Sequence, residues 1–373
     1  MFSLKCFKAI YGTIVGLILG IVLFLNNENF AEMTSSKQTL LYVLVVVLSI
    51  YISFILHEII MAIGSLIFSL AGGYKFFSFR ITKFIWFKTN GKIQLTKTRP
   101  EKGGANCILF PPDMKNGKFP FVLHILGGPM LCLIVSIIFL PGYFIFFDSP
   151  FISAIIFTFS ITGIAASLHR AVPLPLGTFG TPAYIAITLS KSKAAAKSFW
   201  VDLKIIELSA KGVPFKNMPS EWFIPPSDDD MKNRIAARLG VYACDRLVDE
   251  KKFEEAYSLI NHMLEIDSAI EFEYRSFLTC DKIFLEAIGE NRREIIDGIL
   301  TEEQKTFMLG NKEHHSVLRT LYVLALIDND IKGAQTIRDA FEKNASESPF
   351  PVFFDIDREL MNIAQDKLQF GSK

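Results

Sequence analysis

The sequence predicts a mainly α, integral membrane protein: about four transmembrane helices, a small membrane-associated β-hairpin region, and a soluble domain of α-helical repeats. Three observations carry this prediction. Half of the 373 residues are hydrophobic and the mean hydropathy is +0.34, with the apolar excess concentrated before residue 190. The apolar runs there are long enough to cross a hydrocarbon core of ~30 Å. Past residue 230, apolar residues instead recur at intervals of three and four between charged ones, the pattern of amphipathic helices.

The expected domains are a transmembrane domain over 1–189, an amphipathic helix and linker over 190–229, and a helical-repeat domain over 230–373. The first apolar run, 9–25, follows Lys5 and Lys8. Asn26-Asn27-Glu28-Asn29 comes directly after it without a small-residue cleavage site, so it reads as an uncleaved span rather than a signal peptide. The second run, 40–70, would measure ~46 Å as one helix, and reads as a span that continues, kinked, into a segment near the membrane surface. Runs at 121–147 and 151–172 are separated by Asp148-Ser149-Pro150 and form a tight hairpin.

Orientation follows from the positive charges. Residues 74–120 carry ten Lys or Arg against Glu101 and Asp113, whereas residues 26–37 hold two acids and one lysine. Four spans with both termini cytoplasmic satisfy every loop, which predicts a multi-pass protein of the cell membrane. A net charge of +1 gives no support to nucleic-acid binding. Cys6, Cys107, Cys132, Cys244 and Cys280 are scattered, with no C-x-x-C pair, and indicate neither a disulfide framework nor a thiolate zinc site.

In the 74–120 loop, Phe76, Phe77, Phe79, Ile81, Phe84, Ile85, Trp86 and Phe87 interleave with Lys75, Arg80, Lys83 and Lys88. The β-branched and aromatic content predicts strands, and Asn90-Gly91 predicts a tight hairpin. Two roles are compatible with it: anchoring at the anionic inner leaflet, and pairing of a peptide along a strand edge.

Several passages in order resemble the site-2-protease family of intramembrane zinc metalloproteases, in its Gram-positive branch. They are Ala62 to Tyr74 ending Gly73-Tyr74; Gly103-Gly104-Ala105-Asn106-Cys107 with Pro111-Pro112-Asp113; Gly127-Gly128-Pro129; Val172 to Tyr184; and Lys211-Gly212-Val213, Met218-Pro219 and Glu221-Trp222-Phe223. The likeness spans about residues 40–226. It implies a His-Glu-x-x-His helix, whose two His bind zinc while the Glu activates water, and a third ligand, an Asp, further on. Anchored on Gly73-Tyr74, the first His falls on Met61, the Glu on Ala62 and the second His on Ser65. The Asp falls on Pro182.

None of these four residues can do the family's chemistry, because a hydrolytic zinc site needs three protein ligands and a base. The resemblance therefore implies a catalytically inactive homologue, a pseudoprotease without cofactor. Such a protein would be a membrane-embedded binding or regulatory protein for a peptide or membrane-protein partner, with Gly127, Gly128 and Cys132 as peptide-groove candidates.

Two alternatives stand beside it. One is an active zinc metalloprotease with a site relocated to His57, Glu58 and His124, since ionisable groups inside a membrane are costly and often functional. Against it, the second ligand of a His57-Glu58 register would again be Met61. The blander reading gives His57 and His124 interhelical hydrogen bonds and leaves His169 as an interfacial anchor. The other alternative is a transporter-associated scaffold subunit.

In the C-terminal half, Phe253, Ala256, Tyr257, Ile260, Met263 and Leu264 lie on one helix face. Similar passages at 250–256, 290–295 and 328–334 mark turns between antiparallel helices. They resemble tetratricopeptide-like helical hairpins, which implies a protein partner for the repeats. His314-His315 reads as a solvated turn.

Overall fold

The computed structural model describes residues 36–89, 92–97, 105–175, 180–348 and 350–370, with Thr13, Gly16, Leu17 and Gly20. The expected span at 9–25 otherwise lies outside the described residues. The chain is mainly helical and divides into two compact units, Met1–Lys191 and Ser192–Lys373.

In the first unit, three stretches are long and apolar enough to cross a membrane: Lys37–Ala71, Phe121–Ile145 and Pro150–Ala171. Helix α1 (Ser36–Ala71) runs unbroken for 36 residues. The expected kink is not needed, because the segment contains no proline and only one glycine, Gly64. At ~1.5 Å per residue it reaches ~54 Å, well beyond a hydrocarbon core. Tyr42, Val46, Ile50, Ser53, His57 and Met61 are buried at helical spacing, while Leu40, Leu44, Leu48 and Ile52 point outward.

Helix α2 (Phe121–Phe139) stops before Leu140-Pro141, since proline cannot donate the next backbone hydrogen bond. A single turn, α3 (Gly142–Ile145), follows. The expected run to 147 is thus two pieces. Helix α4 (Pro150–Ala171) starts with proline in its first turn, where the missing N–H has no partner to lose. A short helix, α5 (Pro182–Lys191), ends the unit. The helices meet through small residues, as membrane helices without a hydrophobic drive between them tend to. A Cβ on Gly64 would sit 2.6 Å from Gly127 O, and one on Gly128 would sit 2.7 Å from Met61 O.

Between α1 and α2 lies a small antiparallel sheet of β1 (Lys75–Ile81), β2 (Phe84–Thr89), β3 (Lys92–Lys97) and β4 (Ala105–Phe110), in the order β3-β2-β1-β4. Thr89 pairs with Lys92, so the Asn90-Gly91 link, itself outside the described residues, is two residues long. β1 and β2 join through Thr82-Lys83, with Thr82 in the left-handed region at φ 51. Every residue of β3 is exposed, and β4 packs on α1.

The second unit begins with α6 (Lys193–Ser209), capped by Ser192. It packs against α7 (Arg234–Asp249), so the helix expected in the linker belongs to this unit's core. Then come α8 (Phe253–Glu265), α9 (Phe272–Ile288), α10 (Arg293–Ile299), α11 (Glu302–Gly310), α12 (His315–Ile327), α13 (Ile331–Glu347) and α14 (Pro351–Gln365). Cys244, Ile260, Met263, Phe284, Val323, Phe341 and Leu360 share one buried cluster.

The turns α7–α8, α9–α10 and α12–α13 each hold one left-handed residue: Lys251 (φ 61), Asn291 (φ 52) and Asn329 (φ 55). In the first and third, the next N–H returns to the helix, Lys252 N to Leu247 O and Asp330 N to Ala325 O, both at 2.9 Å. In the second, the Glu286 carboxylate accepts from the Arg292 N–H at 3.2 Å.

His314-His315 is not a solvated turn. His314 stacks between Phe277 and His315, with ring centroids 4.1 and 4.2 Å away, and His315 Nδ1 donates to Asp357 at 2.6 Å. Aromatic neighbours on α9 and α14, distant in sequence, draw both rings inward.

Candidate functional site in the membrane unit

The four positions at which the sequence predicts a lost zinc site fall on two elements. Met61, Ala62 and Ser65 occupy one stretch of α1, and Met61 and Ala62 are each 6% exposed. α2 lies directly over them: a Cβ on Gly128 would be 2.7 Å from Met61 O and 2.8 Å from Ser65 Oγ. From the other side, β4 contributes Cys107, whose Sγ–H donates to Ala62 O at 3.6 Å.

Pro182 opens α5. Before it, Thr181 Oγ1 donates to Val172 O at 2.6 Å and accepts from Leu174 N at 3.1 Å, pinning the proline-rich passage back on itself. Gly180, at φ 86, makes the bend that brings it round. Proline offers no side-chain ligand atom, and the Met61 thioether suits soft metals rather than hydrolytic zinc.

The groove candidates are occupied by helix packing. A Cβ on Gly127 would meet Phe68 Cβ at 2.6 Å, and Gly128 lies on Met61 and Ser65. Cys132 is fully buried and its Sγ–H donates to Gly163 O at 3.7 Å. Gly127 and Gly128 serve the close approach of α1 and α2.

His57, Glu58 and His124 go to different partners. His57 Nε2 donates to Phe159 O at 2.9 Å and lies 3.2 Å from Thr162 Oγ1, tying α1 to α4. A carbonyl only accepts, so the proton is on Nε2. Nδ1 is left buried without a hydrogen-bond partner among the described residues. Glu58 accepts from Arg170 at 2.6 Å, a second α1–α4 tie.

Ser69 Oγ donates to Ser65 O at 2.5 Å and therefore accepts from His124 Nδ1–H at 2.8 Å. The His124 ring stacks on Tyr74 with centroids 4.6 Å apart. Twelve residues of α1, or ~18 Å of helix rise, separate His57 from the Ser69 that holds His124. The three side chains are therefore not gathered at one point, and no group of three metal-ligating side chains occurs among the described residues. His169 is half-buried next to Arg170 in the last turn of α4.

Sequence reasoning gave no role to Gly163 or Arg170, and named Cys107 only among the scattered cysteines and in the passage Gly103 to Cys107. A Cβ on Gly163 would run into Ser136 Oγ and sit 2.6 Å from His57 Cε1, so this glycine makes the room that His57 fills. Its signal was the cluster of small residues Thr162, Gly163, Ala165, Ala166 and Ser167 on an apolar helix. Cys107 and Arg170 had no local signal, because their partners lie 45 and 112 residues away. The contacts of His57, Glu58 and His124 hold helices together. No described side chain among Met61, Ala62, Ser65 and Pro182 can ionise or activate water. No family model, no curated protein and no solved structure matches the chain.

Proposed function

We propose that the chain is a catalytically inactive relative of intramembrane zinc metalloproteases, acting as a membrane-embedded binding or regulatory protein for a peptide or membrane-protein partner. The observation that carries this reading is the residue set Met61, Ala62, Ser65 and Pro182. It stands where the resemblance requires two His, a Glu and an Asp, with Met61 and Ala62 buried and Gly128 of α2 against Met61 and Ser65. Four spans, including 9–25, place both termini and the loop of ten basic residues in the cytoplasm. The exposed edge of β3, closed at each end by a lysine, is the surface for a strand from the partner. Helices α7–α13 act as three tetratricopeptide-like hairpins, a reading supported by the left-handed residue at each turn.

The test is metal analysis of the full chain purified in detergent, with His57→Ala alongside. Less than about a tenth of an equivalent of zinc in both is expected, since a catalytic site holds close to one. Near-stoichiometric zinc that disappears in the variant would overturn the proposal in favour of a relocated site at His57 and Glu58.

A further inference from the structure

The second unit encloses a cavity of ≈ 390 Å³, within the usual size range of ligand sites. It lies wholly inside Ser192–Lys373, and its walls come from α6, α7, α9, α12 and α14 with the segment after α6. One wall is a line of rings. Phe277, His314, His315 and Phe353 follow at centroid spacings of 4.1, 4.2 and 5.6 Å, and Phe215 adds a fifth ring 5.5 Å beyond.

The charges on the other walls do not balance. Asp202, Asp245, Glu273, Asp281 and Asp357 face two guanidinium groups, Arg238 and Arg319. Both arginines are spoken for. Arg238 donates to both oxygens of Asp202, at 3.0 and 3.3 Å, and lies over the Tyr274 ring. Arg319 donates to Asp357 at 2.5 Å and to Asp281. Asp245 makes no hydrogen bond to any described residue, and Glu273 is exposed at the rim.

We propose that this cavity binds a basic peptide segment, with an ammonium or guanidinium group paired to Asp245 among the rings. A cation is the ligand that the excess of carboxylates calls for, and ring faces add to its attraction. An anion would meet carboxylates whose neutralising arginines are already engaged. Burial, and then the neighbouring Asp281, hold the Asp245 carboxyl well above the usual carboxylate range. A paired cation would relieve both.

The probes are two fluorescein-labelled hexapeptides, one alternating arginine with phenylalanine and one alternating glutamate with phenylalanine, titrated by anisotropy into the full chain in neutral detergent. The basic peptide is expected to bind at least tenfold more tightly than the acidic one. Asp245→Asn should weaken it about tenfold or more, Asp245→Glu should largely retain it, and Glu273→Gln at the exposed rim should weaken it two- to fivefold. Asp245→Asn keeps side-chain shape and removes no hydrogen bond, and Glu273→Gln reports on the same cavity without touching its interior. Absence of binding, equal affinity for the two peptides, or affinity unchanged in both Asp245→Asn and Glu273→Gln would overturn the proposal.

Discussion

Replacing Arg319 with methionine should strongly destabilise the second unit. The guanidinium is 3% exposed and neutralises two carboxylates, Asp281 and Asp357, that are 6% and 2% exposed. Methionine has a similar reach but no charge, so the variant leaves Asp281 buried without its cation and Asp357 with only the hydrogen bond from His315. Removing one partner of a buried ion pair costs ~3–5 kcal/mol, mostly as the penalty of the stranded charge. The Arg319 guanidinium also lies 4.6 Å from the Phe284 ring centroid, a contact that methionine partly keeps.

With an m-value of ~2 kcal/mol/M, the urea midpoint should fall by ~2 M. Fluorescence of Trp200 and Trp222, which pack edge to face at 5.3 Å in the same unit, reports the transition. The triple variant Arg319→Met, Asp281→Asn, Asp357→Asn should recover much of the loss, because it strands no charge. A single-variant shift below about 0.5 M, ~1 kcal/mol by the same conversion, or a triple variant no more stable than the single one, would refute the assignment of the effect to uncompensated burial.

Further outcomes follow from other contacts. Hydrogen bonds from Arg292 hold Glu286 down to about 2. A depressed carboxylate stabilises the fold above its unfolded value of ~4.3, and this is lost as pH falls toward about 2. Urea midpoints measured between those limits should show Glu286→Gln losing less with acid than the parent chain. In the membrane unit, Gly163→Ala forces a methyl group against Ser136 Oγ and the His57 ring. Overpacking of this kind costs ~1–3 kcal/mol, so detergent-solubilised protein should melt earlier by differential scanning fluorimetry. An unchanged midpoint would mean that the three helices do not meet so closely there. Gly128→Leu, placed against Met61 O, should do the same more severely, while Gly298→Ala, with nothing within 4 Å, should not.

The coarse architecture was legible because its signals are local. Uninterrupted apolar runs show themselves by length, and Asn90-Gly91 marks a two-residue connection by its own backbone preferences. The Thr82-Lys83 turn was not legible, since a threonine at positive φ gives no compositional hint. Helix ends were legible at Pro150 but not at Phe139, where one hydrophobic run conceals two helices. For the site, the residue types at Met61, Ala62, Ser65 and Pro182 could be read directly. The packing of Gly128 over Met61 and Ser65 could not, because it depends on an approach between α1 and α2 that spacing within one helix does not encode. The cavity of the second unit was invisible for a similar reason: Asp202 and Asp357 line one space from 155 residues apart.

The three left-handed residues fix angles rather than contacts. Where a hairpin closes through one backbone torsion, the surfaces of the paired helices can drift in sequence without re-aiming the next pair, whereas an added residue at the joint redirects everything after it. Two joints use asparagine, which tolerates that torsion; the first uses lysine, at a penalty of ~1–2 kcal/mol. Lys251 reaches from this joint to Glu359 on the last long helix, 2.6 Å away, and Lys216 approaches the same carboxylate at 3.7 Å. The one joint that places a lysine at positive φ is thus also the one whose side chain reaches the last long helix.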